Sequence, residues 1–437
     1  MKTVTKANDI DLKTLFDDLL YPALDKVAAK DTRRSNARYS ALDALKAGFA
    51  IFHLKTPSLF AFRPKLKAEE ENLKSIFQID QIPSDNGLRD ILDRLPSDEL
   101  NESFNGVIPF MESHDELGAY RYWNDHLVCS IDGVQHQCSN KLKCDYCLVR
   151  KHRNGNETYS HSMLTAAVVA PGQREVFIVN NEPIIKQDGE TKNDCERNAA
   201  KRLFTRLSTT FASQSVVYVL DALYACAPII KQVIAQGENA KYVINAKEKG
   251  NKFLFKQFDE LNEAGNIKWI KKRVKDGLYH LGYKNGLAIN KANEQVRCNV
   301  LYCRYKPKNG SEVIFSWVTN IELNALSVMS VMRMGRSRWK IENEVFNTLK
   351  NQEYNYGHNF GHGKENLATN FAYLMMLAFT IDQIRQRCSR TFQRVYKVLV
   401  TRVRIWETYR SIFRLITCVD VVDFERKLLE MCGLRVT

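Results

Sequence analysis

HLVCSIDGV, residues 126 to 134, is the stretch in which the sequence changes from helical to extended character. Its apolar and β-branched residues predict a strand, and Asp132 with Gly133 closes the apolar run. SVVYVLDA, residues 215 to 222, repeats this arrangement with Asp221. Ligands bind at the carboxyl ends of strands in α/β sheets, so both aspartates are candidate functional residues. A turn or a helix cap is the alternative role for each of them.

The sequence on either side predicts an α/β protein with helical ends. Residues 1–120 show apolar spacing of three and four with short polar breaks, which predicts a helical N-terminal domain. Residues 121–385 mix strands and helices and include a β-rich insertion at about 241–320. Residues 386–437 predict a basic helical C-terminal region. A chain of 437 residues is too long for one core, so several domains are expected.

The composition favours a polyanionic partner. The formal charge is +14, and residues 222–330 alone hold 17 Lys and Arg against 9 Asp and Glu, a net of +8. KWIKKRVK, at 268–275, is the densest part, and a second basic stretch covers 385–404. Basic surface with interleaved aromatic residues is typical of nucleic-acid binding. The alternative is a solvated, lysine-rich surface.

The cysteines and the apolar runs bear on the compartment. Eleven cysteines are spread along the chain, and MKTVTKANDI has no apolar stretch after its charges. This pattern predicts reduced thiols and no secretory signal. No unbroken apolar run reaches the length of a membrane-spanning helix. A cytoplasmic protein without a membrane partner is therefore expected.

RWKIENEVFNTLK, residues 338 to 350, supplies a third acid. Ile341, Val345, Phe346 and Leu349 form the apolar stripe of a helix, and Glu342 follows one turn after Arg338. Glu344 is rotated well away from Glu342 and is the second choice. Three convergent carboxylates can hold two Mg²⁺ ions, because Mg²⁺ prefers oxygen ligands. Such a site supports in-line phosphoryl transfer on nucleic acid.

The pieces SIDGV, YVLDALY and RSRWKIENEVFNTLK together resemble the DDE transposases of the insertion-sequence-four group, over about residues 126–385. The resemblance implies a ribonuclease-H-like catalytic core with a β-rich insertion between the second Asp and the Glu. It also implies Asp132, Asp221 and Glu342 as catalytic residues and ligands of two Mg²⁺ ions, with Mn²⁺ as an expected substitute. The implied partners are double-stranded DNA, namely terminal inverted repeats and target DNA, and a second copy in the synaptic complex. A bacterial cytoplasmic location follows.

The resemblance also covers residues that contact DNA. Arg338 fits the spacing of the group's arginine and would contact a phosphate near the scissile bond, although an ion pair with Glu342 is the alternative. Gly335 stands where the group has a tyrosine, and Lys350 comes one residue later than the group's lysine. Two rival functions stay open: a catalytically inactive DNA-binding derivative, and a ribonuclease-H-like nuclease without strand transfer.

The basic insertion carries further candidates for DNA contact, namely Trp269, Lys271, Lys272 and Arg273. Trp269 lies among lysines and is the candidate for stacking on a flipped base, whereas Trp317 is expected in the core. The acids Asp194 and Glu196 are alternative candidates as metal ligands, but they open a predicted helix, where a favourable interaction with the helix dipole is the preferred account of them.

Cys144 and Cys147 form a CxxC motif. His136, Cys138 and His152 lie near enough in sequence to complete a Zn²⁺ site, but a reduced pair in a β-turn is the preferred interpretation and zinc the alternative. His358 and His362 lie in a glycine-rich segment, where a loop near the active site is the preferred interpretation and metal binding the alternative.

Overall fold

The computed structural model describes residues 9–34, 37–185 and 196–435. Eight α-helices precede the first strand: α1 Leu12–Thr14, α2 Tyr21–Ala28, α3 Ala41–His53, α4 Leu59–Phe62, α5 Lys67–Phe77, α6 Asp85–Arg94, α7 Ser97–Asn101 and α8 Val107–Ser113. The strands are β1 Arg121–Trp123, β2 His126–Ser139, β3 Leu148–Lys151, β4 Glu157–Val169, β5 Phe177–Ile184, β6 Val216–Leu220, β7 Ala240–Asn245, β8 Lys268–Val274, β9 Gly277–Ala288, β10 Arg297–Pro307 and β11 Val313–Thr319.

Three further α-helices lie between the strands: α9 Glu196–Thr210, α10 Ala227–Ile234 and α11 Lys252–Glu263. Six follow them: α12 Val328–Ser337, α13 Asn347–Asn351, α14 Leu367–Cys388, α15 Arg390–Leu399, α16 Arg402–Leu415 and α17 Val421–Met431. Short 3-10 turns are Glu102–Gly106, Leu117–Tyr120, Ala222–Tyr224 and Lys291–Asn293, and the π-helical segments are Leu15–Leu20 and Ile341–Phe346.

One mixed sheet of 11 strands organises the part of the chain that the structure describes, in the order β3-β4-β2-β6-β7-β11-β10-β9-β8, with β5 paired to β4 and β1 to β2. β2 lies antiparallel to β4 and parallel to β6, and β7 continues the parallel part. The central strands are almost entirely buried, since helices cover both faces, and this explains their nearly continuous apolar sequence. The mixed α/β class predicted from the sequence is confirmed.

The β-rich insertion extends the same sheet. β8 to β11 form an antiparallel meander, and β11 pairs with β7. β7, which the sequence prediction placed within the insertion, pairs in parallel with β6 and belongs to the central sheet. The added meander therefore begins after α11 and ends at β11.

The helices from the two ends of the chain pack on each other. α3 contacts α14, α5 contacts α16 and α1 contacts α17. Lys55 and Asp382 form an ion pair inside this layer, and both side chains are fully buried. A buried charge is retained only when it is paired, so this contact fixes how α14 lies against the N-terminal helices.

α14 is also the one helix in the described residues that is long and apolar enough to cross a membrane. Every residue of its apolar window is buried inside the protein. Core helices pass the same test of length and composition, and α14 lies in the core.

Candidate active site

The register of two parallel strands brings Asp132 and Asp221 to the same level of the sheet. Ser130 on β2 pairs with Val219 on β6. Asp132 and Asp221 each lie two residues further along, and the backbone at Asp221 is still extended. Side chains at equal register on parallel neighbours point to the same face. The two strand aspartates predicted from the sequence therefore adjoin.

The structure corrects one detail at Asp132. β2 does not end there but continues to Ser139, paired only with β4. What ends near Asp132 is the pairing of β2 with β6, whose last pair is Ser130 with Val219. The polar residues after Gly133 misled the prediction, because a strand with one free edge tolerates them.

Asp221 also has the capping role that the sequence left open. Its Oδ1 accepts the N–H of Leu223 at 2.7 Å and caps the turn Ala222–Tyr224. A carboxylate has about four lone-pair positions on its two oxygens, so the cap leaves capacity for a cation.

Arg338 connects the third acid to the first. Its Nη1 lies 3.0 Å from Oδ2 of Asp132 and 2.7 Å from Oε1 of Glu342. Ser130 on β2 donates to the backbone oxygen of Arg338 at 3.1 Å, which fixes the start of the Glu342 segment against the strand. Glu344 instead lies 4.0 Å from Arg174. Glu342 is thus the glutamate that faces Asp132.

A fourth carboxylate borders the group. Oε1 of Glu196 lies 3.1 Å from where a Cβ on Gly133 would be, and Tyr224 donates to Oε2 of Glu196 at 3.3 Å. Burial and then the charge of Asp221 raise the pKa of Glu196. The sequence alone favoured the helix dipole as the explanation of Glu196. The glycine at position 133, directly after Asp132, was a signal that another side chain lies close to the backbone there. Asp194, the other acid considered at the start of this helix, lies outside the described residues.

The electrostatics indicate an excess of negative charge. Burial raises the pKa of Asp132 to about 7, Arg338 opposes this shift and Glu342 adds to it. One guanidinium cannot neutralise four neighbouring carboxylates, so the group favours additional cations. Its donors are all carboxylate oxygens, the ligands that suit Mg²⁺ and Mn²⁺.

A π-helical segment contains Glu342 and ends before Lys350. Lys350 is eight positions after Glu342, and in a regular α-helix this offset turns the two side chains about 80° apart, whereas an offset of seven would turn them about 20° apart. Asn347 donates its backbone N–H to the oxygen of Glu342, the wide i→i+5 bond that accommodates one extra residue. Glu342, Asn347 and Lys350 are all exposed, as members of one solvent-facing stripe should be.

Trp317 explains the glycine at position 335. A Cβ on Gly335 would lie 2.3 Å from Nε1 of Trp317, so the indole fills the space of any side chain there. Trp317 is 1% exposed, in agreement with the predicted core role. The departure from the tyrosine of the resembled group therefore has a steric cause.

The basic residues of the insertion divide between two faces. β8 is the edge strand of the sheet, and Lys271, Lys272 and Arg273 are exposed on it. Side chains alternate along a strand, so Trp269, Lys271 and Arg273 share one face, and Lys272 lies on the other with Lys268. A lysine-rich edge also prevents pairing with other chains, and this is an explanation of the lysines of β8 that requires no DNA.

Trp269 belongs partly to the packing of its own face. Its Nε1 donates to Asn262 at 2.9 Å, and its ring covers Gly282 so closely that a Cβ there would be 2.8 Å away. Trp339 is more exposed, at 51%, and directly follows Arg338. Sequence reasoning passed over Trp339, although its position off the apolar stripe of Ile341 and Val345 was a usable signal.

The basic stretch at 385–404 is largely used inside the protein. Arg385 is fully buried and bonds to Glu425, Arg387 bonds to Glu116 at 2.9 Å, and Arg402 is buried. These three side chains are engaged in the fold, so the local charge overstated the basic surface of this stretch.

Among the predicted zinc ligands, the structure brings Cys144 and Cys147 together but not with the neighbours in sequence. His161 and His362 complete the group instead. His136 packs beside His161 with ring centroids 5.8 Å apart. His152 bonds to Thr158. His358 packs on Phe360 in its loop.

A family model for the transposase DDE domain matches residues 146–381, which is more than half of the chain. The matched range contains Asp221, Glu342 and the basic strand, and it begins after Asp132. No curated protein matches the sequence.

Proposed function

The chain belongs to the DDE transposase family, and from this premise we propose that it cleaves and joins the ends of its own mobile element, with Asp132, Asp221 and Glu342 as ligands of two divalent metal ions. The observation that carries the proposal is the junction of the three acids. Strand register sets Asp132 beside Asp221, and Arg338 links Asp132 to Glu342.

The topology supports a ribonuclease-H-like core. In the order β5-β4-β2-β6-β7, β4 is antiparallel to both of its neighbours, and β2, β6 and β7 are parallel to one another. This is the arrangement expected for that core, with the first acid on the central strand and the second directly after its parallel neighbour. The meander β8–β11 then stands between the second acid and the third, as the family resemblance implies.

The donor set fits two Mg²⁺ ions. When bound, the metals would activate the attacking oxygen and neutralise charge on the leaving oxygen of an in-line displacement. Asp132, Asp221 and Glu342 would hold them, and Glu196 would add negative charge at their side. Because burial raises the pKa of Asp132 to about 7, a proton and a metal ion would compete for this carboxyl.

In this proposal Arg338 orients the scissile phosphate. Its guanidinium lies between Asp132 and Glu342 of the proposed metal site, where a phosphate oxygen would be a further acceptor for a charge-assisted hydrogen bond. Lys350, brought toward the Glu342 side by the π-helical segment, would contact the backbone further along the DNA. Trp339 offers an exposed ring beside Arg338 for stacking on an unpaired base, a role in which it rivals Trp269.

DNA contacts beyond the site involve the helical N-terminal region and the insertion. We propose that the region before β1 binds the terminal inverted repeats and that two copies meet when two ends are synapsed. Both proposals rest on the family resemblance and on the charge of +14.

The test is incubation with Mg²⁺ and DNA from the element's own ends, scored for nicked, hairpin and joined products. Cutting followed by joining is the result that the proposal expects. Cutting without any joined product would favour the rival nuclease, and tight end binding without cutting would favour the inactive derivative.

The strand geometry of β8 gives a prediction for DNA binding. On one face of β8, Trp269 contacts α11, a helix that holds Asp259, Glu260 and Glu263. On the other face, Lys272 pairs with Tyr279, whose hydroxyl accepts a hydrogen bond from Arg336 at 2.7 Å. We expect DNA on the Lys272 face, because the other face is partly acidic. Lys268→Gln with Lys272→Gln should lower the slope of log affinity against log salt by about 1.8, or about 0.9 for each phosphate contact.

The matched control is Lys271→Gln with Arg273→Gln, which removes the same charge from the same strand. Its slope should change by less. The reverse order would place the DNA on the α11 face together with Trp269, and no change in either pair would leave β8 outside the interface.

A further inference from the structure

Four side chains from three separate parts of the chain converge on one point away from the carboxylates. Sγ of Cys144 and Sγ of Cys147 are 3.7 Å apart, and Nε2 of His161 lies 3.4 Å from both sulfurs. Nε2 of His362 lies 3.3 Å from Sγ of Cys147. All four ligand atoms lie within 4.8 Å of one another.

Four of the six distances match the edges of a metal tetrahedron, and the two between His362 and the other two ligand atoms lie within 4.8 Å. With Zn–S near 2.3 Å and Zn–N near 2.05 Å at tetrahedral angles, two sulfurs would be about 3.8 Å apart and a sulfur and a nitrogen about 3.6 Å. The observed edges of 3.7, 3.4 and 3.3 Å are close to these values. A disulfide requires sulfurs near 2.05 Å, so the two cysteines are not joined.

Hydrogen bonding within the group accounts for the convergence less well. One S–H proton serves one acceptor, yet Cys147 approaches the Nε2 atoms of both histidines, and His161 approaches both sulfurs. A single central cation satisfies all four atoms at once. His362 is also oriented for it, because its Nδ1 donates to the oxygen of Gly363 at 2.9 Å and leaves Nε2 as the free lone pair.

The local backbone is of the kind that binds zinc. Cys147 donates its N–H to the oxygen of Cys144 at 3.2 Å, and the N–H of Cys144 points to Sγ of Cys147 at 3.5 Å. The CxxC segment thus forms a tight turn with both sulfurs on one side. Cys147 and His161 are buried, while Cys144 and His362 are half-buried, which leaves a path for the ion.

We propose that Cys144, Cys147, His161 and His362 bind one structural Zn²⁺ ion. This proposal is independent of the DNA chemistry. A closed Cys₂His₂ set leaves no open position for substrate, so the site serves the fold and not the reaction.

The position of the ion defines what it stabilises. His161 lies on β4 opposite Gln137 of β2, the strand that carries Asp132. His362 lies in the connection between α13 and α14, just after the helix of Glu342 and Lys350. Zinc would therefore join the segment after the glutamate helix to the strands beside the first aspartate.

A second anchor holds the same connection from the other side. Asp93 on α6 accepts the backbone N–H groups of Lys364, Glu365, Asn366 and Leu367 at 2.8 to 3.0 Å. Gly363 has a φ of +68°, and a Cβ there would lie 2.4 Å from Asp93. The connection is held by Asp93 from the N-terminal helices and by the zinc group from the sheet.

The test is metal content after expression in medium with zinc, followed by exchange with Co²⁺. The whole chain should hold about one zinc per molecule, and the cobalt form should show the visible bands of tetrahedral thiolate coordination. Cys147→Ser and His362→Gln should each lose most of the zinc. Cys138→Ser, an exposed cysteine in the same region, should keep it.

The structural role has its own readout. Removal of zinc, or His362→Gln, should increase tryptic cleavage after the exposed Lys364, because the connection loses one of its two anchors. The proposal is overturned if the wild-type chain holds no zinc and gives no tetrahedral cobalt spectrum, or if the ligand variants keep as much zinc as Cys138→Ser. Because these readouts need no DNA, they stand or fall separately from cleavage activity.

Discussion

Alanine at Asp132, Asp221 or Glu342 should reduce DNA cleavage by about 1,000-fold or more, the scale expected for groups that act directly on the reacting atoms. Each substitution removes a metal ligand from a set that has few to spare. Binding to end DNA should persist, because an anion and not a cation is lost from the basic surface. Gel-shift and cleavage assays on the same DNA separate the two effects.

Glu344→Gln is the matched control for the glutamate. It lies two residues from Glu342 on the same segment but contacts Arg174 at 4.0 Å, so its loss should leave cleavage nearly unchanged. Full activity in any one of the three alanine variants would remove that residue from the site. A dead Glu344→Gln with an active Glu342→Ala would move the third ligand by two residues.

Arg338→Ala should affect both stability and cleavage. Loss of the guanidinium leaves Asp132 and Glu342 without their common partner, and breaking a buried pair costs about 3–5 kcal/mol. Glu342 is 49% exposed, so we expect a lower cost of about 1–3 kcal/mol in chelator. Mn²⁺ should then raise the thermal midpoint of the variant more than that of the wild type, since the metal replaces the lost positive charge.

Cleavage by Arg338→Ala should fall about 100-fold if the guanidinium orients the scissile phosphate, by analogy with other removed charge-stabilising donors. Arg174→Ala is the control, because it breaks a more exposed Arg–Glu pair nearby and should change neither property. An Arg338→Ala protein as stable and as active as the wild type would reduce the contact to an ordinary i,i+4 surface pair.

Local sequence was sufficient for the elements that carry the site. β-branched runs predicted β2 and β6, and the apolar stripe of Ile341, Val345 and Phe346 predicted the helix of Glu342. The convergence of three acids could be expected because strand ends meet at one edge of a sheet. Their register could not, since pairing of β2 with β6 depends on contacts between residues almost 90 positions apart.

Other features depended on distant partners that no local pattern reveals. His161 and His362 are 201 positions apart in sequence, so the CxxC motif gave half of the cluster and its sequence neighbours gave wrong candidates. Arg385 and Arg387 belong to a stretch that was expected to form a basic surface, but they form ion pairs with Glu425 and Glu116, respectively. A run of basic residues predicts a basic surface only when the fold brings no acidic side chains next to them.

The π-helical segment is a further feature that residue spacing does not predict. Lys350 comes one position later than the lysine of the resembled group, and this difference changes the face of the helix only if every turn holds 3.6 residues. The bond from Asn347 to Glu342 widens one turn and compensates for the extra residue. Whether a helix contains such a turn is decided by its packing, here with Ile341 and Val345 buried against the sheet.

The most direct test of the proposed metal site is a change of metal preference. Asp132→Cys, Asp221→Cys and Glu342→Cys should abolish cleavage of end DNA in Mg²⁺, because a hard ion does not accept thiolate in place of carboxylate. Cleavage should return in part with Mn²⁺, which tolerates a softer ligand. Glu344→Cys should cleave equally in either metal. Full activity of the three cysteine variants in Mg²⁺ would contradict metal ligation by these carboxylates.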